Sequence, residues 1–285
     1  MRPPAMTSTH GILDPGGGRS HFELTRRLPA ADLADHVERH WIVSWDLRRS
    51  NAFVQEILPH PCVNLSSEPG LIAVYGIPLS RSAHRIEDSG VVVGTKFRPG
   101  GFAGFIDTPI RALNDRVLAL PELFGEEGAK LERELVRCAG DPGAHIEVVE
   151  SFLRERLPRP DPRFDVIRTV VSEMLVAGSS TTVTDLAERH AVSQRTLQRL
   201  FRDYVGVAPK WVLKRYRVHE AAERIAAGEI NDHTSLALEL GYFDQAHFIR
   251  DFSAQVGRSP GAYARACAAA GRDLELALAD LFHEV

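Results

Sequence analysis

The sequence predicts an α+β chain: a β-rich, barrel-like N-terminal domain with a helical extension, followed by an all-α C-terminal domain. Three observations lead there. From His21 to about Arg98, short apolar runs are separated by Pro, Gly, Ser and Asn, the pattern of strands and turns. From Gly101 to Leu157 the apolar residues fall at helical spacing instead. Beyond Pro158, Pro160 and Pro162, everything from Phe164 to about Ala270 has a helical pattern. A chain of 285 residues is also long for one core, so about two domains are expected.

In chain order, residues 1–20 are rich in Pro, Gly, Ser and Thr, lack an apolar signal core, and read as a disordered tail. The β-rich stretch with its helical extension occupies 21–158. Its strands are signalled by Trp41-Ile42-Val43, by Leu71 to Ile77, and by Val91-Val92-Val93, with a short helix expected at Leu33 to Arg39. Helices in the extension are signalled by Leu131, Leu135 and Cys138, then by Ile146, Val149, Phe152 and Leu153. Residues 159–163 form a linker, and 164–270 the helical domain. In 271–285, Leu274, Leu278, Leu281, Phe282 and Val285 share one face of an expected amphipathic helix.

Composition narrows the class. The chain is 44% hydrophobic and 25% charged, ordinary for a soluble globular protein. No apolar run approaches the roughly 20 residues that span a bilayer, so no membrane partner is expected. Three widely spaced cysteines, Cys62, Cys138 and Cys267, indicate no disulfide framework and fit a cytoplasmic location. A net charge of -4 leaves nucleic-acid binding open, because local charge decides it.

Local charge is concentrated in the helical domain. Thr182 with Asp185 resembles a capping box at the start of a short helix. Ser193 caps a second helix whose apolar side is Leu197, Leu200, Phe201 and Tyr204. Its other side carries Gln194, Arg195, Gln198, Arg199 and Arg202. Two short helices joined by a tight turn, the second presenting Arg and Gln, form a helix-turn-helix pattern. Arg can bond guanine and Gln adenine in the major groove. The plainer reading is a solvated face on a helical hairpin. From Ser193 to Arg217, however, seven Arg and Lys residues stand against only Asp203, which would attract a polyanion.

The pattern recurs further on. A helix from about Thr234 to Leu240, a turn at Gly241-Tyr242, and a second helix to about Gln255 leave Gln245, Ala246, His247, Ile249 and Arg250 outside a Phe248–Phe252 core side. The helix between the units, from Pro209 to about Ala227, would be about 28 Å long, against about 34 Å between successive major-groove segments.

The run from Gly241 to Phe252, with Gly257-Arg258-Ser259-Pro260 and Tyr263, resembles the signature of AraC/XylS regulators. Ser193 to Gly206 with Pro209 resembles their first unit. The resemblance implies base reading by Arg195, Gln198 and Arg199, and by the corresponding face of the second unit, with Arg250 on phosphate. Ala246 and Ile249 offer no side-chain hydrogen bond, only apolar contact with a thymine methyl. His233-Thr234-Ser235 departs from the family's usual apolar and acidic residues.

His21 to Leu157 resembles a domain that precedes the DNA-binding part in many actinobacterial AraC-type regulators, through Val37 to Trp41, Pro61 to Leu65 and Gly94 to Gly101. The resemblance implies a sensor-like domain whose helices dimerise, and names no ligand. Lys96 and Arg98 alternate onto one strand face, and Gly100-Gly101 could open a helix, a candidate effector or anion site. The plainer reading gives Arg98 a carboxylate and the glycines a turn. Zinc at His36, His40, His60 and Cys62 is disfavoured, because neither paired cysteines nor a His-Glu-x-x-His occurs. Gly257 to Gly261 matches a nucleophile-elbow pattern but follows a helix, so no catalytic residue and no cofactor is expected. The expected partners are double-stranded promoter DNA, RNA polymerase in an activating role, a small-molecule effector and a second copy of the chain. Two rival readings are a repair-type protein using Cys62 and an effector-free architectural DNA binder.

Overall fold

The structure is a computed structural model and describes residues 12–13, 21–176, 181–229 and 232–270. Eight strands come first: β1 Glu23–Arg27, β2 Val37–Asp46, β3 Phe53–Ile57, β4 Asn64–Glu68, β5 Leu71–Tyr75, β6 Ser82–Ile86, β7 Ser89–Phe97 and β8 Val117–Ala119. Six of them make an antiparallel sheet in the order β1-β2-β7-β4-β5-β8, while β3 and β6 pair separately. The large sheet does not close on itself, so the barrel-like expectation becomes an open sheet with β1 and β8 at its edges.

Local chemistry fixes the register. Trp41 and Trp45 of β2 stand opposite Gly94 and Gly90 of β7. A Cβ on Gly94 would lie 2.1 Å from the Trp41 ring, so the missing side chain is the space in which the indole lies. The helix expected at Leu33 to Arg39 is only a 3-10 turn, Ala31–Leu33. Strand β2 begins at Val37 because Val37, His40 and Ile42 all face inward and pair with β7.

Helices follow: α1 Leu120–Arg137, interrupted at Gly125, α2 Pro142–Arg154, α3 Pro162–Val176, α4 Val183–Arg189, α5 Gln194–Leu200, α6 Pro209–Ala226, α7 His233–Glu239 and α8 Gln245–Val256. Helical backbone resumes over 260–270. A π-turn, Phe201–Val205, extends α5. Two 3-10 turns, Ala103–Phe105 and Ile110–Leu113, and strand β8 occupy ground where only helix was expected. Leu131, Leu135, Ile146, Val149, Phe152 and Leu153 are buried, as their spacing predicts.

One apolar core runs through both halves. It joins Leu65, Val74, Phe97 and Phe102 of the β-rich half to Val170, Leu186, Leu197, Phe201 and Val212 of the helical half. A second core holds Val218, Leu236, Tyr242, Phe248, Phe252 and Tyr263, and takes in Leu58 and Leu13. Ile12 bridges to Ile57, and Gln55 donates to the Leu13 carbonyl at 2.6 Å. Ile12 and Leu13, within the tail expected to be disordered, are thus held against β3, and the rest of 1–20 lies outside the described residues. The expected tail helix at 271–285 lies outside the described residues.

Helix α2 is tied to the sheet by buried histidines. The two ring nitrogens of His40 lie 2.9 Å from Thr95 Oγ1 and 3.1 Å from Glu150 Oε1. Burial, with the nearby His40, pulls His145 from 6.5 to about 4. Its folded-state value is depressed, so the unfolded chain binds the proton more tightly. Stability is fully present above pH 6.5 and is lost as pH falls toward about 4. Urea titrations between these limits are expected to show that slope, and His145→Leu to flatten it. An unchanged slope in the variant would remove His145 as its source.

Candidate DNA interface

Each recognition helix is set by caps legible in the sequence. Thr182 and Asp185 bond each other's backbone N–H groups at the start of α4, at 2.9 and 3.2 Å. Ser193 Oγ accepts from Thr196 N at 3.0 Å and starts α5. In the second unit Asp232 accepts from Thr234 N and Ser235 N, and these bonds hold its carboxyl down at about 2. Helix α7 therefore starts one residue earlier than the sequence suggested. The unusual His233-Thr234-Ser235 serves this cap, a signal available in the Asp-x-x-Ser spacing. Asp244 Oδ1 accepts from His247 N at 2.6 Å and starts α8.

These caps leave one side of each helix outward. Gln194, Arg195, Gln198, Arg199 and Arg202 are all exposed, as are Gln245, Ala246, His247, Ile249 and Arg250. Leu197, Leu200, Phe201, Phe248 and Phe252 are buried on the opposite sides. Arg195, Gln198, Arg199 and Arg202 make no hydrogen bond or ion pair with other described residues. Gln194 is held by Thr184 Oγ1 at 2.9 Å, and Arg250 Nε lies 3.4 Å from the Ala246 carbonyl. Asp251 takes the charge of Lys214 at 2.7 Å and lies 3.6 Å from His247. Asp203, the acid in the basic stretch, pairs with Arg111 of the β-rich half.

One basic residue is not on this surface. Arg215, counted among the polyanion-attracting charges, is 2% exposed. It donates to the carbonyls of Pro59 at 2.8 Å and Leu79 at 3.0 Å and stacks on Trp211. No carboxylate is among these partners, and burial draws its guanidinium down to about 10. It pins α6 to two loops of the β-rich half. No spacing rule marks an arginine for this role, which is why the sequence placed it with the DNA-facing charges.

The four residues of the candidate anion site are differently placed. Lys96 is buried and bonds Glu38 at 3.1 Å. Burial alone would raise the Glu38 carboxyl, but Lys96 and Arg39 more than offset it and hold it below the ordinary range. Arg98 Nε donates to the Ala34 carbonyl at 2.7 Å. Gly100 and Gly101 form a turn, with His36 Nδ1 3.0 Å from the Gly101 carbonyl, and only the 3-10 turn Ala103–Phe105 follows. The helix terminus on which the anion reading depended is not there.

Cys62 is buried and its thiol is pushed up to about 12 by burial, so it remains protonated and lacks the thiolate a nucleophile needs. The histidines considered with it are scattered: His36 stacks on Phe164, His40 meets Glu150, and His60 stacks on His219. Among the described residues no helix is long and apolar enough to cross a membrane.

Residues 186–266 match the family described as a helix-turn-helix domain, and residues 25–119 match a domain of unknown function (DUF6597). A Streptomyces lividans chain described as an AraC-like transcription regulator is 36% identical over 84 residues, which are 30% of this chain and 27% of that relative. An AraC-type regulator of Chromobacterium violaceum aligns at 22% identity over 36% of this chain and 93% of its own, with a TM-score of 0.34. ToxT of Vibrio cholerae aligns at 10% identity over 86% of this chain and 98% of its own, with a TM-score of 0.37. On the family match, the paired helix units and their caps, residues 186–266 are a helix-turn-helix domain, and the stretch before it matches a domain whose function is unassigned.

Proposed function

We propose that the chain is a sequence-specific DNA-binding transcription regulator of the AraC/XylS type that reads two successive major-groove segments of promoter DNA. The observation that carries this is the outward face of α5: four long polar side chains, three of them arginines, with no partner among the described residues. Free guanidinium groups on a capped recognition helix suit bidentate contact with guanine and single contacts with phosphate. The second face, with Gln245, Ala246, His247, Ile249 and Arg250, would follow in the next segment. Control through the N-terminal half, by a small-molecule effector or by dimerisation, and contact with RNA polymerase belong to the same proposal. The shared core supports it, because a change in the β-rich half has a packed route to α5.

The test is binding of the full chain to the DNA upstream of its own gene and to duplexes selected from a random pool, with salt varied. Arg199→Ala is expected to weaken specific binding by about 1–3 kcal/mol and to relax preference at one base position. Binding without preference over random DNA would overturn sequence-specific reading and leave the architectural alternative.

A further inference from the structure

The two helix-turn-helix units share one backbone plan and differ in length by one residue. Ala187, Ala191 and Val192 correspond to Ala237, Gly241 and Tyr242. The Val192 N–H donates to the Ala187 carbonyl at 3.0 Å, and the Tyr242 N–H to the Ala237 carbonyl at 2.9 Å. Ala191 and Gly241 both have positive φ, +52° and +69°. Beyond that point the correspondence slips. Ser193, the cap of α5, follows Val192 directly, but Asp244, the cap of α8, follows Tyr242 only after Phe243. From there Leu197, Phe201 and Gly206 match Phe248, Phe252 and Gly257, each shifted by one residue more than before. Phe243 is the inserted residue.

Among the described residues almost nothing covers it. An apolar residue just before an N-cap ordinarily folds back onto the fourth helical residue. In the first unit Val192 does so, partly buried against the core that holds Leu197. In the second, Tyr242 takes that role, its ring 5.4 Å from Phe248. Phe243 is left 89% exposed, far more than any other large apolar residue described. At 100° per residue, Ala246 lies opposite the buried Phe248–Phe252 line with Ile249 at its flank, and Phe243 stands exposed just before the N-cap Asp244 at the start of the same helix. The same correspondence puts Ala246 where the first unit has Arg195, and Ile249 where it has Gln198. The second reading face has thus lost two polar readers and gained an exposed ring.

We propose that Phe243 is a specificity-determining residue of the second unit, which with Ala246 and Ile249 reads the C5-methyl groups of thymine. This rests on the DNA-reading function above. DNA is the occupant the position favours: recognition helices meet base edges with their N-terminal residues. Gln245, His247 and Arg250 surround the apolar patch with groups suited to bases and phosphates. Of the groups in the major groove, the thymine methyl is the apolar one.

Duplexes selected from a random pool by the full chain provide the test, followed by replacement of thymine with deoxyuridine, which removes only the methyl. Each contacted methyl in the segment protected by the second unit is expected to be worth about fourfold in affinity, the effect of burying one such group. Phe243→Ala should weaken binding to thymine DNA and have little further effect on deoxyuridine DNA, while preference in the first segment stays as in the parent. Its exposed position predicts an unchanged melting temperature. Arg199→Ala should do the converse, altering the first segment alone. Equal affinity for thymine and deoxyuridine DNA overturns the inference and leaves the regulator reading standing. Unchanged DNA binding by Phe243→Ala with lost transcription would assign the ring to a protein partner, and also overturns it. Failure of the parent chain to select any sequence removes both readings together.

Discussion

Phe201→Ala is expected to lower stability by about 3–5 kcal/mol, the range for emptying a fully buried aromatic site. Phe201 is 0% exposed and sits in the π-turn that follows α5, inside the core common to the sheet and the first helix-turn-helix unit. The consequence that matters is where the loss appears. Because Phe97 and Phe102 belong to the same core, hydrogen exchange should accelerate in β7 as well as in α5. Phe252→Ala removes an equally buried ring from the other core, and should loosen α7 and α8 while leaving β7 protected. If Phe201→Ala melts the helical half alone, with exchange in β7 as in the parent, the core is not energetically shared.

Gly206→Ala should cost about 2–5 kcal/mol, and Gly257→Ala about 1–2 kcal/mol. The two glycines close equivalent helices, and both are left-handed, with φ of +89° and +83°. Holding alanine there costs about 1–2 kcal/mol at either site. Their surroundings differ. A Cβ on Gly206 would lie 2.9 Å from both Asn114 Oδ1 and Ile110 Cγ2 and 3.1 Å from Ile77, atoms of the β-rich half. Asn114 is itself fastened to the Gly206 carbonyl at 2.8 Å, so it cannot retreat without losing that bond. Overpacking of this kind adds about 1–3 kcal/mol. A Cβ on Gly257 would meet the guanidinium end of Arg81, 2.5 Å from Cζ, and that flexible side chain can swing aside. Paired denaturant titrations decide the matter. Equal losses at the two sites would mean that the first unit is not wedged against the β-rich half.

Much of this architecture is written in local patterns. The caps Thr182 and Ser193 each precede an apolar run at helical spacing, and the structure uses both. The outward positions of α5 and α8 follow from the same periodicity. What the sequence concealed depends on contacts between distant segments. Lys96 looks like a strand charge free to bind an anion until Glu38 is brought across from β2. Arg215 looks like one more cation on a basic helix until the Pro59 and Leu79 loops arrive. Val37 to Arg39 reads as helix by itself, but its partners on β7 make it strand. Phe243 is illegible for another reason: by type it belongs in the core, but Tyr242 already fills the place against Phe248 that it would have taken.

The pinning of α6 has a consequence for the geometry of whatever this chain reads. Arg215 fastens the helix about a third of the way along the 18 residues from Pro209 to Ala226, which make it about 27 Å long. A tilt of about 10° at the pin would swing the far end, about 16 Å away, by roughly 3 Å, more than a base contact tolerates. On the proposed function, two reading heads joined by this helix would act as a caliper on the double helix. One extra base pair between the segments turns the second by about 34° about the DNA axis and carries it about 3.4 Å further away. A caliper cannot follow that rotation, so a chain that reads DNA as proposed would measure the phase of its target as well as its letters.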